Sequence, residues 1–296
     1  MVTLDNMAWP APAKLNRFLH ITEQRADGYH LLQTVFQFLD FCDTLDFRLR
    51  NDSNIRLLTE LPGVSEESNL VVCAAKLLQQ HARVETGVDI SLHKCLPMGG
   101  GLGGGSSDAA TVLVALNALW NTGLNEAELA RLGLQLGADV PVFIHGHAVW
   151  AEGVGEQFQS IDLDEPWFLV IIPPVNVSTA EIFSHPQLTR NTTPITIPDF
   201  KRGAGKNDCE SLVLAFYPVV KEVLNWLREQ ADVLPECVAK TRMTGTGACV
   251  FAGFQTKEAA MQVYEQLPEH WQAFVAKGLN ISPLHQKLQQ VHSKST

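Results

Sequence analysis

The stretch Pro97-Met98-Gly99-Gly100-Gly101-Leu102-Gly103-Gly104-Gly105-Ser106-Ser107 has glycine at six of the seven positions from Gly99 to Gly105. Ordering a glycine in a regular element costs about 0.5–1 kcal/mol relative to alanine, so packing alone does not explain the run. Its flanks do. Asp89 to Cys95 alternates like a strand. Asp108 to Trp120 places Val112, Leu116, Leu119 and Trp120 at helical spacing, with Ser106 or Ser107 as the expected N-cap. Strand, glycine loop and capped helix form the layout in which free backbone N–H groups and a helix N-terminus hold phosphate. A Walker A loop is excluded, because no Gly-Lys-Ser/Thr closes the run. Gly99, Gly101 and Gly104 fit G-x-G-x-x-G, yet a run this dense fits almost any glycine pattern. The acidic residues at the dinucleotide distance, Glu126 and Glu128, open a helix behind Asn125 in a capping box. A dinucleotide-binding oxidoreductase is therefore a poor reading.

Composition sets the outer limits. The chain has 296 residues, 46% of them hydrophobic and 18% charged, and length and composition suit an ordinary globular protein of one or two domains. No apolar run reaches the ~18 residues of a membrane span. Met1-Val2-Thr3-Leu4-Asp5 lacks the basic start of a secretory leader. Six cysteines lie scattered without C-x-x-C pairs, as expected of thiols in a reducing cytoplasm. A net charge of −10 without a Lys/Arg run argues against a nucleic-acid partner.

The pattern predicts strands at 13–22, 31–40, 44–50, 55–58, 142–150, 167–172 and 248–254. Helices are expected at 70–80, 108–120, 126–136, 208–216 and 218–230, with one more capped by Thr256. Residues 189–206 read as a long loop, the tail from Gln289 as frayed, and 156–166 as a boundary that divides the chain into 1–160 and 161–296.

Taken singly, the other marked residues are unremarkable. Lys14 shares a strand face with Asn16 and Phe18 and alone would be an edge charge. Asp139, two residues after the C-cap glycine Gly137, alone would be a turn residue. Tyr29 and His30 alone would close the Asp27-Gly28 turn. His145 and His147 share a strand face but have no third ligand at a sensible spacing, so no metal site is expected.

Together, Pro12-Ala13-Lys14-Leu15-Asn16, Asp27-Gly28-Tyr29-His30, Pro97 to Ser107, Leu136 to Pro141, Asn207-Asp208-Cys209-Glu210 and Gly245 to Phe251 resemble the GHMP kinase superfamily, in its order and across most of the chain. The resemblance implies an α+β fold of two domains with the ligand cleft between them, and phosphoryl transfer from ATP, with Mg2+, to a small-molecule alcohol. Lys14 and Asp139 would be the catalytic pair. Pro97, Met98, Gly99, Gly100, Gly101, Leu102, Gly103, Gly104, Gly105, Ser106 and Ser107 would wrap the ATP phosphates, with Asn69, Leu70 and Lys94 near the adenine. The closest branch acts on an alcohol carrying a cytidyl group, so Tyr29 and His30 would contact cytosine, Phe183 would stack on it, and Asn16 would line the same pocket. A monomer or weak homodimer in the cytoplasm is expected, with no membrane partner. Another alcohol acceptor, or a ligand sensor on the same fold, are the rival readings. Two residues depart from the pattern: Arg17, where an apolar residue is expected, and Asp108, where asparagine is common.

Overall fold

The computed structural model describes residues 8–61 and 63–295; the leader reading at 1–5 lies outside them. Alternation through Ala11 to Ile21 produces β1 (Trp9–Gln24), folded back on β2 (His30–Leu49). The two strands expected at 31–40 and 44–50 are one. No glycine or proline interrupts Phe41-Cys42-Asp43, and pairing continues through it with Pro12 opposite Cys42 and Ala11 opposite Asp43. Lys14 sits opposite Phe38 and Asn16 opposite Phe36, and the register slips after Pro12, Asn16 and Ile21. Such bulges re-aim side chains.

β3 (Ile55–Leu57) and β4 (Val88–His93) are parallel neighbours joined through α1 (Leu70–Ala82), and β4 then pairs with β2. The glycine loop follows and leads into α2 (Gly104–Leu119). Neither serine caps this helix. Gly103 is its N-cap, left-handed at φ +77° with no side-chain cap bond, and both serines lie in the first turn. Ser107 to Leu116 are all buried, as expected of a helix enclosed on every side. α3 (Glu126–Leu136) carries the expected box between Asn125 and Glu128.

The strand expected at 142–150 is a correction. Val140–His145 forms a helix, α4, and only Val149–Glu152 forms a strand, β5. The β-branched Val140, Val142 and Ile144 suggest strand, but Pro141 in the first turn and Gly146 at φ +70° are helix start and stop signals that outweigh propensity.

The chain continues through β6 (Gln157–Ser160), β7 (Trp167–Ile172), α5 (Thr179–Ser184), α6 (Ile197–Lys201), α7 (Glu210–Phe216) and α8 (Pro218–Ala231). It ends with β8 (Cys237–Met243), β9 (Val250–Phe254), α9 (Lys257–Tyr264), β10 (Gln272–Leu279) and α10 (Pro283–Ser295). The expected loop at 189–206 contains α6, stapled by a Thr196–Asp199 capping box. The tail expected to fray at Gln289 is helical, with Val291 buried.

The sheet order is β3-β4-β2-β10-β7-β9-β8, with β1 and β5 also on β2 and β6 on β5. β10 pairs with β7 from Gln272 to Lys277 and reaches β2 through Gly278 and Leu279, so one sheet joins the two halves of this mixed α/β fold. One core gathers α1 to α4 with β2 and β4, and a second gathers β7 and β9 with α7 to α9. α10 packs on the first, through Leu284 and Val291.

Candidate active site

Lys14 is 2% exposed, which is rare for lysine and requires partners. Its Nζ lies 3.2 Å from Asp139 Oδ2 and donates to Asn16 Oδ1 at 2.6 Å and to the Gly101 carbonyl at 3.3 Å. The period of two places Lys14 and Asn16 on one face of β1, while Asp139 enters from the turn before α4. Asn16 is itself fixed: its Nδ2 donates to Thr34 and its backbone N–H to Thr244 Oγ1, both at 3.0 Å. The Asp139 side chain is 39% exposed, so the pair is a buried ammonium beneath a carboxylate that faces the cavity.

The glycine loop is wedged between this pair and the turn Thr244 to Gly247. A Cβ at Gly101, where φ is +75°, would lie 2.3 Å from the Thr244 carbonyl oxygen. At Gly103 it would lie 2.8 Å from the Phe143 ring and 3.1 Å from Lys14 Cε. The loop therefore needs glycine for close approach to its own protein as well as for room above. The Lys14 N–H donates to the Leu102 carbonyl and the Cys249 N–H to that of Gly100, which pins the middle of the loop from both sides. Asn207 Nδ2 donates to the carbonyls of Met243 and Gly245 at 2.8 Å, holding the opposing turn.

Lys94 bridges Asp43 and Asp108, the latter at 2.7 Å. Burial opposes its charge, but Asp108 and Asp43 outweigh that and raise its pKa. Burial pushes the Asp108 carboxyl up to about 7, against the pull of Lys94 and with help from Asp43, and Asp108 Oδ1 has no hydrogen-bond partner. Asp43 Oδ1 also accepts from the backbone of Cys95 and Leu96 at 2.6 and 2.7 Å, so the cluster anchors the start of the loop. Nearby, Asn69 caps α1 by accepting from Val71 N–H at 2.9 Å.

Tyr29, 63% exposed, His30 and Phe183 stand at the other end. The rings of His30 and Phe183 touch, with centroids 5.2 Å apart. Arg190 Nε donates to His30 Nε2 at 2.9 Å, so that nitrogen is bare and the ring proton of the neutral imidazole is on Nδ1. Burial first, and then Arg190, lower the pKa of His30 and keep it neutral near pH 7. Arg190 also donates to the carbonyls of Phe183, Leu188 and His185, tying α5 to the β1–β2 turn. Sequence reasoning missed Arg190, which sits inside the stretch read as a featureless loop.

One cavity of about 1080 Å³ collects Lys14, Asn16, Tyr29, His30, Asn69, Lys94, Asp139, Phe183 and most of the loop. That is at or above the upper end for small-molecule sites, with room for two nucleotide-sized ligands. Two expected residues do not line it: Leu102 packs in the core, and Ser107 is fully buried with its hydroxyl unpartnered. Thr246, from the quoted Gly245 to Phe251 segment, and Thr179, which was not singled out, are hydrogen-bonded to each other at 2.9 Å and line it without having been assigned a role. Among the described residues, no group of three His, Cys, Asp or Glu side chains could hold a metal ion, and no helix is long and apolar enough to cross a membrane.

Family models for the N-terminal and C-terminal domains of GHMP kinases match residues 69–147 and 195–273. The 4-diphosphocytidyl-2-C-methyl-D-erythritol kinase of Nitrosococcus oceani is 55% identical over 94% of this chain and 96% of its own length. The protein of the same name from Shewanella halifaxensis is 54% identical over 96% of this chain and 98% of its own. A crystal structure of 4-(cytidine 5'-diphospho)-2C-methyl-D-erythritol kinase superposes with a TM-score of 0.79 at 31% identity, covering 92% of this chain and 99% of that one. A mevalonate kinase, at 18% identity and a TM-score of 0.64 over 93% of this chain and 100% of its own, shares the fold.

Proposed function

The chain belongs to the GHMP kinase family, and from that premise we infer that it transfers the γ-phosphoryl group of ATP to the 2-hydroxyl of 4-diphosphocytidyl-2-C-methyl-D-erythritol, a step of non-mevalonate isoprenoid synthesis. The observation that carries this reading is the near full-length identity to kinases of that name, 55% over 94% of the chain.

The chemistry then follows from the site. Phosphoryl transfer has a loose transition state, so positioning and charge stabilisation count for more than a strong base. The free oxygen of Asp139 orients the acceptor hydroxyl and takes its proton as the new P–O bond forms. Lys14, held by Asn16 and Gly101, keeps Asp139 in place and offsets charge on the transferring phosphoryl group. The loop from Pro97 to Ser106 and the N-terminus of α2 receive the phosphates through backbone N–H groups. Asn69 and Lys94 border the adenine, with Lys94 acting through its hold on the loop, since Asp43 and Asp108 already take up its charge. The cytosine ring stacks on Phe183 and Tyr29 while the His30 Nδ1–H donates to its edge. It rests against the His30–Phe183 pair and not between them, because those rings are already in contact.

Mg2+ would enter with the nucleotide held by the loop from Pro97 to Ser106, and would offset charge on its phosphates while keeping water and phosphate oxygens as ligands. We further propose a division at 160/161, and a cytoplasmic monomer or weak homodimer working without nucleic acid or membrane. ADP release assayed with the cytidyl alcohol, mevalonate and homoserine tests the assignment. Turnover confined to the cytidyl alcohol is expected, and preference for another alcohol would overturn it.

A further inference from the structure

Arg17, on β1 immediately after Asn16, has no place in the mechanism, and its surroundings are unlike the rest of this acidic chain. Its guanidinium lies 5.1 Å from the ring centre of Phe168 and donates to Gln37 Oε1. Arg242, on β8, donates to the Arg17 carbonyl at 2.8 Å. Neither arginine has an ion-pair partner among the described residues. Both border a cavity of about 350 Å³ on whose rim stand Lys201 and Lys240, with Asp162 and Asp164 as the only carboxylates in its lining. Four cations against two carboxylates is a local excess of positive charge in a protein whose net charge is −10. Burial and Arg242 push Arg17 down to about 10, against the pull of Asp164. Desolvation therefore opposes the charge that this cavity holds.

A half-buried guanidinium without an ion-pair partner among the described residues is costly unless something else answers it. Its planar fork of donors matches the oxygens of a phosphoryl group. Phe200 and Val238 add an apolar wall, so the cavity is shaped for an anionic head on a small organic body. We propose that the cavity between Arg17 and Arg242 is a second binding site, separate from the catalytic cleft, for a small molecule bearing a phosphate or diphosphate group. Its occupant lies against the strand that carries Lys14 and Asn16, and against β8, which leads into the Thr244 to Gly247 turn.

Inorganic diphosphate is the probe, titrated calorimetrically into the full chain already saturated with a non-hydrolysable ATP analogue and the cytidyl alcohol, so that neither the phosphate loop nor the acceptor end of the cleft can bind it. One further site is expected. Arg17→Leu should weaken it at least tenfold and raise the melting temperature of the ligand-free protein, while the affinity for the ATP analogue stays unchanged. Should Arg17→Leu fail to fold, the doubly exposed variant Lys201→Gln/Lys240→Gln is read instead, with a loss of several-fold expected. No heat with the parent chain, or undiminished binding in the folded variant, overturns the proposal.

Discussion

Replacing Asp139 with asparagine keeps the shape beside Lys14 and removes the carboxylate that faces the cavity there. The Lys14 ammonium would keep its neutral acceptors, Asn16 Oδ1 at 2.6 Å and the Gly101 carbonyl at 3.3 Å, so the site should stay assembled. The lost ion pair is half open to solvent on the Asp139 side, which limits its worth to about 1 kcal/mol. For a chain of this size that corresponds to a melting temperature lower by about 2–4 °C. The catalytic loss should be larger. A positioned base contributes roughly 10²–10⁴-fold, or about 2.7–5.4 kcal/mol at 1.36 kcal/mol per decade. Steady-state ADP release at saturating ATP and cytidyl alcohol should therefore show kcat down by roughly 10²–10⁴-fold with the KM for ATP little changed. Turnover within tenfold of the parent would refute the role of Asp139 as base. A fall confined to ATP affinity would recast it as a nucleotide-positioning residue.

Gly105→Val should weaken ATP binding with the fold intact, because a Cβ there meets only Leu70 at 3.6 Å. Gly103→Val should also lower the melting temperature, because it collides with Phe143 in the core; ATP titration and thermal melts separate the two. Phe183→Ala should raise the KM for the cytidyl alcohol about tenfold, as expected for one lost stacking face worth ~1–3 kcal/mol, and Arg190→Met should act in the same direction. The KM for ATP should stay constant in both variants, and initial-rate kinetics decide it. Asp108 supplies a pH test. Its unfolded carboxyl loses its proton near 3.8 and the folded one near 7, so the folded state binds the extra proton and stability falls as pH rises through that window. Asp108→Asn removes this dependence, so the stability of the variant relative to the parent, read from denaturant melts, should rise between pH 4.5 and pH 8 by on the order of 1 kcal/mol or more.

Where local signals agreed, the sequence was a sufficient guide. α3 begins and ends where its capping box and periodicity place it, and β7 matches its apolar run. Lys14, Asp139 and the loop come together as the family resemblance implied, although strand periodicity alone could only put Lys14 beside Asn16. The misses have different physical causes. α4 was hidden because branched side chains favour strand while the proline and glycine that govern the segment sit at its ends. Arg190 was hidden because its role depends on a 2.9 Å contact with a residue 160 positions away, which no spacing rule encodes. β8 and β10 went unread because half-exposed strands carry charges that dilute their alternation.

The return of α10 to the first core has a consequence for how the chain is made. Leu284 and Val291 complete an apolar cluster whose other members lie between Trp9 and Ala151, and β10 inserts between β2 and β7 before them. A nascent chain leaving the ribosome therefore cannot close its phosphate-binding half first and its second half later. The earliest core stays open along one flank until more than 130 further residues have been synthesised, the stretch from Glu152 to Pro283. Stalled or proteolytically shortened products that stop before Ser282 would carry a finished glycine loop on an unsealed core, and would be substrates for chaperones and proteases before they could be kinases.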